Sequence, residues 1–215
     1  MSLMRNMRSV RLLVLGLFSI GITGRAFAEG GFEPIFNGKD LSGWKAKGDA
    51  QFFVRDGCLV GTQTTGKGGD LSTDASYGDF EFRATYRVKW PANSGFWFRW
   101  DPATGKGYQF DILKYSKPVA FSGTIYCPGK LFLTTNLVES LENRDGWNEA
   151  RIWAKGGHII VWLNGKRVGD SHDTTFVKGS IGIQVHGGDG VKGMEIAAKD
   201  MKIRPVGSEE QPPSD

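Results

Sequence analysis

The stretch ARIWAKGGHIIVWLNGKRVG, residues Ala150–Gly169, alternates short apolar runs with two turn sequences. The turns are Gly156-Gly157 and Asn164-Gly165, and both dipeptides tolerate the positive φ angles that two-residue hairpin loops require. The runs beside them are Ala150–Ala154, His158–Leu163 and Lys166–Gly169. We therefore predict that these three runs pair as antiparallel strands.

The same pattern extends outward from this stretch. Asp56-Gly57 separates two further strand-like runs, and Phe80–Val88 alternates apolar with polar residues, as a half-buried strand does. Other predicted strands are Gly95–Trp100, Tyr108–Lys114, Gly123–Tyr126, Ile181–His186 and Met194–Pro205. About a dozen strands without a long helical period favour an all-β sandwich of two antiparallel sheets, because each one-sided sheet must bury its apolar face.

The first 28 residues have the features of an export signal. Three arginines precede the apolar run Leu12–Ile22, and Ala26-Phe27-Ala28 matches the small-x-small cleavage pattern. The apolar run has 11 residues, whereas a membrane-spanning helix needs about 20. We predict cleavage after Ala28, a periplasmic or secreted product with no membrane segment, one domain over residues 29–206, and a disordered polar tail over 207–215.

Charge and cysteine content limit the partners and the cross-links. The full chain has 27 Lys and Arg against 23 Asp and Glu, but four of the arginines belong to the predicted signal, so the mature chain is formally neutral. The mature chain therefore lacks the net positive charge that is the main sequence indication of a nucleic-acid-binding surface. Cys58 and Cys127 form either one disulfide in an oxidising compartment or two buried free thiols, and the sequence leaves both open.

Three predicted strands each present a polar set by alternation. Arg99 shares a face with Trp97, Gln109 shares one with Asp111, and Gln184 shares one with His186. If these strands are neighbours in one sheet, the polar side chains converge on one surface. The alternative is that each strand merely presents a solvated outer face.

His186 is the leading candidate for a functional group. It ends the strand-like IGIQVH and is followed by two glycines, and an imidazole titrates near neutral pH, which suits proton transfer. His158 and His172 are expected to be exposed and incidental. Ordinary glycoside hydrolysis is disfavoured, because the i, i+2 pair Gln109 and Asp111 offers one carboxylate where that mechanism needs two.

Eight short motifs occur in a characteristic order along the chain. They are FNGKDLSGW (Phe36–Trp44), YGDFEF (Tyr77–Phe82), NSGFWFR (Asn93–Arg99), GYQFDILK (Gly107–Lys114), GTIYCPGK (Gly123–Lys130), GWNEARI (Gly146–Ile152), WLNGKRV (Trp162–Val168) and IGIQVHGG (Ile181–Gly188). In this order they resemble the 3-keto-disaccharide hydrolase domain family. The resemblance covers nearly all of Phe32–Val206.

The resemblance implies a jelly-roll sandwich of the concanavalin A-like lectin and glucanase type. It also implies an exported hydrolase or lyase for carbohydrate that a partner oxidoreductase, a sugar 3-dehydrogenase, has oxidised at C3. In this family the strand that matches GYQFDILK usually reads more like GYExQILD. Gln109, Asp111 and Lys114 therefore stand where Glu, Gln and Asp are common.

A ketone at C3 makes the proton on C2 acidic, so a base can remove it and the group on C1 can leave by β-elimination, followed by addition of water. Such a site needs a base, a stabiliser for the enolate oxygen and an acid for the leaving oxygen. We assign His186 or Asp111 as the base and Arg99, with Lys114, to the enolate. The predicted substrate contacts are Gln109, Gln184, Trp97 and Tyr108.

Two points stay open at this stage. A divalent metal ion bound by Asp111 and His186 would stabilise the same enolate charge, although the chemistry does not require a cofactor. The alternative function is a carbohydrate-binding module without catalysis, in which Trp97, Trp100 and Tyr108 serve as stacking platforms for sugar rings.

Overall fold

Antiparallel β-strands make up nearly all of the regular structure. The computed structural model describes residues 31–214, and the predicted export signal lies outside the described residues. Helical structure within them is limited to short 3-10 turns such as Glu139–Leu141 and Asp189–Val191. No helix among residues 31–214 is both long enough and apolar enough to span a membrane.

The first sheet, called here the back sheet, contains eight strands. In spatial order they are β14 (Lys166–His172), β13 (His158–Leu163), β12 (Asn148–Lys155), β6 (Phe80–Lys89), β16 (Glu195–Pro205), β4 (Cys58–Thr62) and β3 (Gln51–Arg55), with β1 (Glu33–Pro34) pairing to β16. The three hairpins predicted at Asp56-Gly57, Gly156-Gly157 and Asn164-Gly165 join β3 to β4, β12 to β13 and β13 to β14. These predictions are confirmed.

The second sheet, called the front sheet, also contains eight strands. In spatial order they are β11 (Leu131–Asn136), β10 (Val119–Cys127), β8 (Lys106–Ile112), β7 (Ser94–Asp101), β15 (Ser180–Val185), β5 (Gly69–Thr73) and β2 (Trp44–Gly48), with β9 (Lys114–Ser116) pairing to β10. The order differs strongly from the chain order, as in a jelly roll. The predicted all-β, two-sheet antiparallel sandwich is confirmed.

The core lies between the inner faces of the two sheets. Phe82 of β6 meets Phe96 of β7 edge to face, with ring centroids 5.6 Å apart, and Phe80 meets Phe98 in the same manner at 6.3 Å. All four rings are essentially inaccessible to solvent. Because alternate residues of a strand point to opposite faces, the burial of Phe96 and Phe98 turns Gly95 and Trp97 onto the outer face of the front sheet.

Part of the C-terminal segment, for which the sequence predicts a disordered tail over 207–215, makes contacts with the back sheet. Val206 is buried against the outer-face cluster that contains Trp153 and Trp162. Arg204 donates to a carboxylate oxygen of Glu210 at 2.6 Å and also bonds the buried Glu81. The carboxylate of Glu210 therefore links the tail to Arg204 of β16, a contact that polar composition alone does not reveal.

The two cysteines are free and buried in different sheets. Cys58 lies in β4 with Val60 and Ala197, whereas Cys127 ends β10 inside the main core. Of the two states that the sequence left open, the structure therefore has the pair of buried thiols.

Candidate functional site

Three neighbouring strands of the front sheet bring the predicted polar residues together. β8, β7 and β15 lie side by side in the sheet. Their inner faces carry core residues, so alternation places Gln109 and Asp111, Trp97, and Gln184 on the outer face. The adjacency that the sequence could only suppose is therefore present.

Strand register arranges these side chains in two rows across the sheet. In one row Asp111 lies opposite Gly95, and Gly95 lies opposite Gln184. In the neighbouring row Gln109 lies between Tyr126 and Trp97.

Gly95 creates the space in which the two rows meet. A Cβ atom at this position would lie 2.6 Å from the carbonyl oxygen of Phe110 and 2.7 Å from Cγ of Gln109. The Gln109 side chain therefore extends over the bare backbone of Gly95. Any larger residue would displace it.

A cavity of about 290 Å³ opens above these rows. Its polar lining comes from the strands, and its apolar wall comes from residues that follow β8 and β10. The lining residues are Asn93, Trp97, Gly105, Gln109, Asp111, Leu113, Tyr115, Tyr126, Pro128, Leu131, Phe132, Gln184 and His186. This volume is at the small end of the range of about 300–1,000 Å³ for ligand sites, a size that suits one sugar ring.

Asp111 is the buried acid of the cavity. Only 3% of its surface is exposed, and desolvation raises its pKa well above the usual value. No hydrogen bond from the described residues offsets that desolvation. A carboxyl group in such surroundings keeps its proton at pH values where exposed carboxyls have lost theirs.

The amide of Gln109 is also buried without a partner. Its Nε2 makes no hydrogen bond within the described residues, and the residue is 3% exposed. Leaving a buried polar group unpaired costs about 1–3 kcal/mol, so folding alone does not favour this arrangement. The amide is therefore ready to bind a ligand that enters the cavity.

His186 lies at the exposed rim, one residue beyond β15. Its Nδ1 contacts the carbonyl oxygen of Gly187, and its backbone N–H donates to the carbonyl of Asn93 at 3.2 Å. A carbonyl only accepts, so Nδ1 carries the proton and Nε2 of the neutral ring has a free lone pair. This tautomer has its basic nitrogen available.

Residues that the sequence did not single out complete the site. Tyr126 of β10 contacts the Trp97 ring edge to face at 6.2 Å, and burial together with the Asp111 charge raises its pKa. Trp97 in turn donates from Nε1 to Asp70 at 2.8 Å. Alternation within GTIYCPGK predicts the outward face of Tyr126, but only the strand order shows which neighbour it meets.

The predicted catalytic residue Arg99 lies outside the cavity, which corrects its assignment. Arg99 has a φ of +47°, and the register of β7 shifts between Phe98 and Asp101, so the strict alternation with Trp97 fails. Its side chain is fully buried, and burial lowers the pKa of its guanidinium although Asp79 opposes this. The guanidinium donates to the carbonyl oxygens of Gly78, Gly156 and Phe176 and to the carboxylate of Asp79. Arg99 therefore has a structural role, in which its hydrogen bonds link β7 of the front sheet to turns of the back sheet.

Tyr108, a predicted substrate contact, also lies elsewhere. It points to the inner face, packs against Phe98 with ring centroids 5.4 Å apart, and donates its hydroxyl to Asp173 at 2.6 Å. The three-ring stacking platform expected for a binding module is therefore absent from the described surface, since Trp97 and Trp100 stack on each other and are 5% and 2% exposed.

Lys114 is a neighbour of the cavity and does not line it. β8 ends at Ile112 and Lys114 begins the separate strand β9, so the alternation of β8 does not continue to it. Its ammonium pairs with Glu139 at 2.7 Å. The predicted role of Lys114 at the enolate has no geometric support.

The open prediction of a divalent ion concerns Asp111 and His186. Among residues 31–214, three metal-type ligand atoms converge within 4.8 Å only at His158, Asp170 and His172, on the other sheet. Asp111 and His186 supply two protein donors, so an ion in the cavity would take its remaining ligands from amides, water or substrate. Such an ion stays a prediction.

The jelly-roll sandwich, with a polar cavity on the outer face of one sheet, has the fold of the lectin and glucanase type. The sequence over residues 31–204 matches the family of 3-keto-alpha-glucoside-1,2-lyase-like domains. The chain belongs to this family. Among curated proteins, no sequence matches it significantly.

Solved structures with the same fold come from several bacterial proteins. A predicted glycosyl hydrolase from Parabacteroides distasonis is 20% identical, with a TM-score of 0.64 over 82% of this chain and 94% of that one. A Bacillus subtilis protein of unknown function with a galectin-like fold is 15% identical, with a TM-score of 0.61 over 80% and 94%. A carbohydrate-binding module from Bacillus subtilis is 16% identical, with a TM-score of 0.55 over 75% and 95%. Family and fold together support a carbohydrate-related function.

Proposed function

We propose that this protein cleaves the glycosidic bond of 3-keto-glycosides by elimination and hydration. The observation that carries the proposal is the unpaired, buried Asp111 beside the unpaired amide of Gln109, with the imidazole of His186 at the rim of the same cavity. An acid, a hydrogen-bond donor and a base are the three groups that this reaction needs. Their convergence is not required by folding.

His186 is the base in this proposal. Its free Nε2 takes the proton from C2 of the keto sugar, and the electrons of that C–H bond form the enolate, whose charge lies on the C3 oxygen. From strand spacing, the Cα atoms of His186 and Asp111 lie about 12 Å apart on the diagonal of the sheet, which leaves room for a sugar ring between the two side chains.

Asp111 is the acid. Because desolvation raises its pKa, the carboxyl group retains a proton that it can give to the C1 oxygen as the C1–O bond breaks. In the second step the carboxylate accepts a proton from water, whose oxygen adds to C1, while the His186 imidazolium returns its proton to C2. Both groups end in their starting states, and the net reaction is hydrolysis.

Gln109 and Tyr126 replace Arg99 and Lys114 as the groups that face the enolate oxygen. Nε2 of Gln109 is unpartnered and buried, and Tyr126 lies beside Gln109 in the same row of the sheet and lines the cavity. Two neutral donors in a site with little water stabilise developing charge more than they do in solution. Gln184 and Trp97 line the cavity and serve as contacts to the sugar.

Conventional glycoside hydrolysis fits this site poorly. Asp111 is the one carboxylate among the described residues that line the cavity. Asp70 lies in the same row, three strand spacings away, so the Cα atoms of Asp70 and Asp111 are about 14 Å apart. The two-carboxylate mechanisms require two carboxyl groups about 5 to 9.5 Å apart beside the scissile bond. Asp70 does not line the cavity.

The test measures product from a 3-keto-disaccharide and from its unoxidised parent, with and without EDTA. We expect cleavage of the keto form alone, and a loss of about 100-fold in turnover for both His186→Ala and Asp111→Asn. Asp145→Asn, an exposed acid in the turn before β12, is the matched control and should turn over normally.

Normal turnover in both cavity variants would refute the assignment of these residues. Saturable binding of an unoxidised glycan without any product would favour the binding module instead. Loss of activity in EDTA, restored by a divalent ion, would add the metal to the site.

The proposed setting follows from the same chemistry. A 3-keto sugar must be made by an oxidoreductase, so a sugar 3-dehydrogenase is the expected functional partner. The predicted export signal favours a periplasmic or secreted location. A fusion of residues 1–28 to a reporter that is active only after export tests that location.

A further inference from the structure

A second group of chemistry-bearing side chains lies on the back sheet, away from the cavity. His158 begins β13 and stands directly opposite His172 near the end of β14, and Asp170 precedes His172 by two residues on the same face. Strand pairing therefore brings together residues that sequence reasoning treated as separate and incidental. Two of the three histidines in the chain meet here.

The spacing of these side chains suits a metal ion. Ligand atoms of the three residues lie within 4.8 Å of one another, and Nε2 of His158 is 2.8 Å from Oδ1 of Asp170. The imidazole rings of His158 and His172 are nearly parallel, 17° apart, with centroids separated by 4.2 Å. Ligand atoms around a tetrahedral zinc ion lie about 3.3 Å apart, so small side-chain rotations suffice to surround an ion.

We propose that His158, Asp170 and His172 form a binding site for a divalent transition-metal ion of the zinc, copper or nickel class. Two imidazoles with one carboxylate are a donor set that these ions prefer, whereas calcium and magnesium prefer sites made of oxygen ligands. Asp170 and His172 are exposed, so water completes the coordination on the solvent side.

The surroundings support this arrangement of ligands. Arg167 donates to Oδ2 of Asp170 at 3.0 Å, which orients the carboxylate with Oδ1 toward His158. Contacts of this kind around a ligand fix its geometry and affect metal affinity. The ring of Trp153 meets His158 edge to face at 5.5 Å, so a bound ion lies close to a fluorescent side chain.

A bound ion is expected to cross-link two strands at the edge of the back sheet. β14 is the outermost strand on that side, and an ion between His158 and His172 links it to β13. An ion that binds only the folded chain raises the melting temperature. At a concentration 100 times its Kd the rise is about 5–10 °C for a domain of this size.

The experiment titrates ZnCl2 into mature protein without a histidine tag and follows heat and melting temperature. We expect one ion per chain and a clear rise in Tm, no competition from Mg²⁺ or Ca²⁺, and affinity at least about tenfold weaker in His158→Ala and His172→Ala. His186→Ala removes the remaining histidine and should keep the zinc affinity of the wild type.

A second readout needs no substitution. Cu²⁺ quenches tryptophan fluorescence at short range, and saturable quenching with the stoichiometry of the zinc titration is expected because Trp153 adjoins the site. Three results would overturn the proposal: no binding at millimolar zinc, unchanged affinity in the His158→Ala, His172→Ala double variant, or loss of binding in His186→Ala, which would place the ion in the cavity.

Discussion

Replacing Asp111 with asparagine should make the protein more stable at neutral pH while it abolishes most of the proposed activity. Asparagine keeps the size of the side chain and removes the ionisable group. Burial raises the folded-state pKa of Asp111 well above its value in the unfolded chain, which is about 3.9. The folded protein therefore holds the proton over a pH range in which the unfolded chain has released it.

The sign and size of the effect follow from proton linkage. Below about pH 3.9 the group is protonated in both states and has no pH-dependent effect. As pH rises from there to the folded-state pKa, unfolding releases a proton, so the wild type loses about 1.4 kcal/mol of its free energy of unfolding for each pH unit. For a domain of this size each unit corresponds to about 3–5 °C in melting temperature. Asp111→Asn lacks this loss.

The assay compares melting temperatures of the wild type and Asp111→Asn at pH 3.5, 5 and 7, with turnover measured on the same samples. The melting temperature of the variant should rise relative to that of the wild type between pH 3.5 and pH 5. Asp173→Asn is the opposite control: burial acts to raise the pKa of Asp173, but hydrogen bonds from Lys130, Thr175 and Tyr108 lower it overall. That variant should be less stable than the wild type at pH 7, with the deficit shrinking as the pH falls below about 4. A pH-independent difference for Asp111→Asn, or a loss of stability at pH 7, would refute the reasoning.

Two further predictions concern Arg99, outside the cavity, and Gly95, beneath Gln109. Arg99→Ala should lower the free energy of unfolding in urea by about 3 kcal/mol, because it leaves buried carbonyl oxygens without donors. Turnover per folded molecule in a steady-state assay should stay within a few-fold of the wild type. An unchanged free energy of unfolding with a loss of about 100-fold in turnover would instead make Arg99 a catalytic residue. Gly95→Ala should displace Gln109 and lower kcat by about tenfold or more. Gly190→Ala is the control and should leave kcat unchanged, because a Cβ atom there meets nothing within 4 Å. Equal kinetics of the two variants would contradict the role of Gly95.

The sheet architecture could be predicted from sequence because its signals are local. Gly156-Gly157 and Asn164-Gly165 specify their hairpins within a few residues, and the alternation in Phe80–Val88 states which face is buried. The order of strands in the front sheet has no local signal. β7 and β8 are consecutive strands joined by a short turn, but β15 pairs with β7 through residues far apart in the chain, so Gln184 and Asp111 meet only in the folded protein.

The prediction of the site failed where a strand departs from regular geometry. The shift in β7 after Phe98 turns Arg99 inward, and the break after Ile112 removes Lys114 from the face of Asp111. One residue of slip reverses every inference from alternation. A left-handed φ at an arginine has no composition signal, because asparagine, aspartate and glycine are the residues that usually adopt it.

Relocating Arg99 and Lys114 also changes what the cavity can bind. No lysine or arginine is present among the described residues that line it, and burial raises the pKa of Asp111 well above its usual value. An anionic sugar, such as an acidic or phosphorylated one, would place its charge near Asp111 without a compensating cation. A neutral keto sugar carries no charge until the enolate forms, and at that point Gln109 and Tyr126 can donate to its oxygen. The desolvation that destabilises ionised Asp111 therefore also disfavours a charged substrate. In a neutral substrate, negative charge arises only in the enolate intermediate.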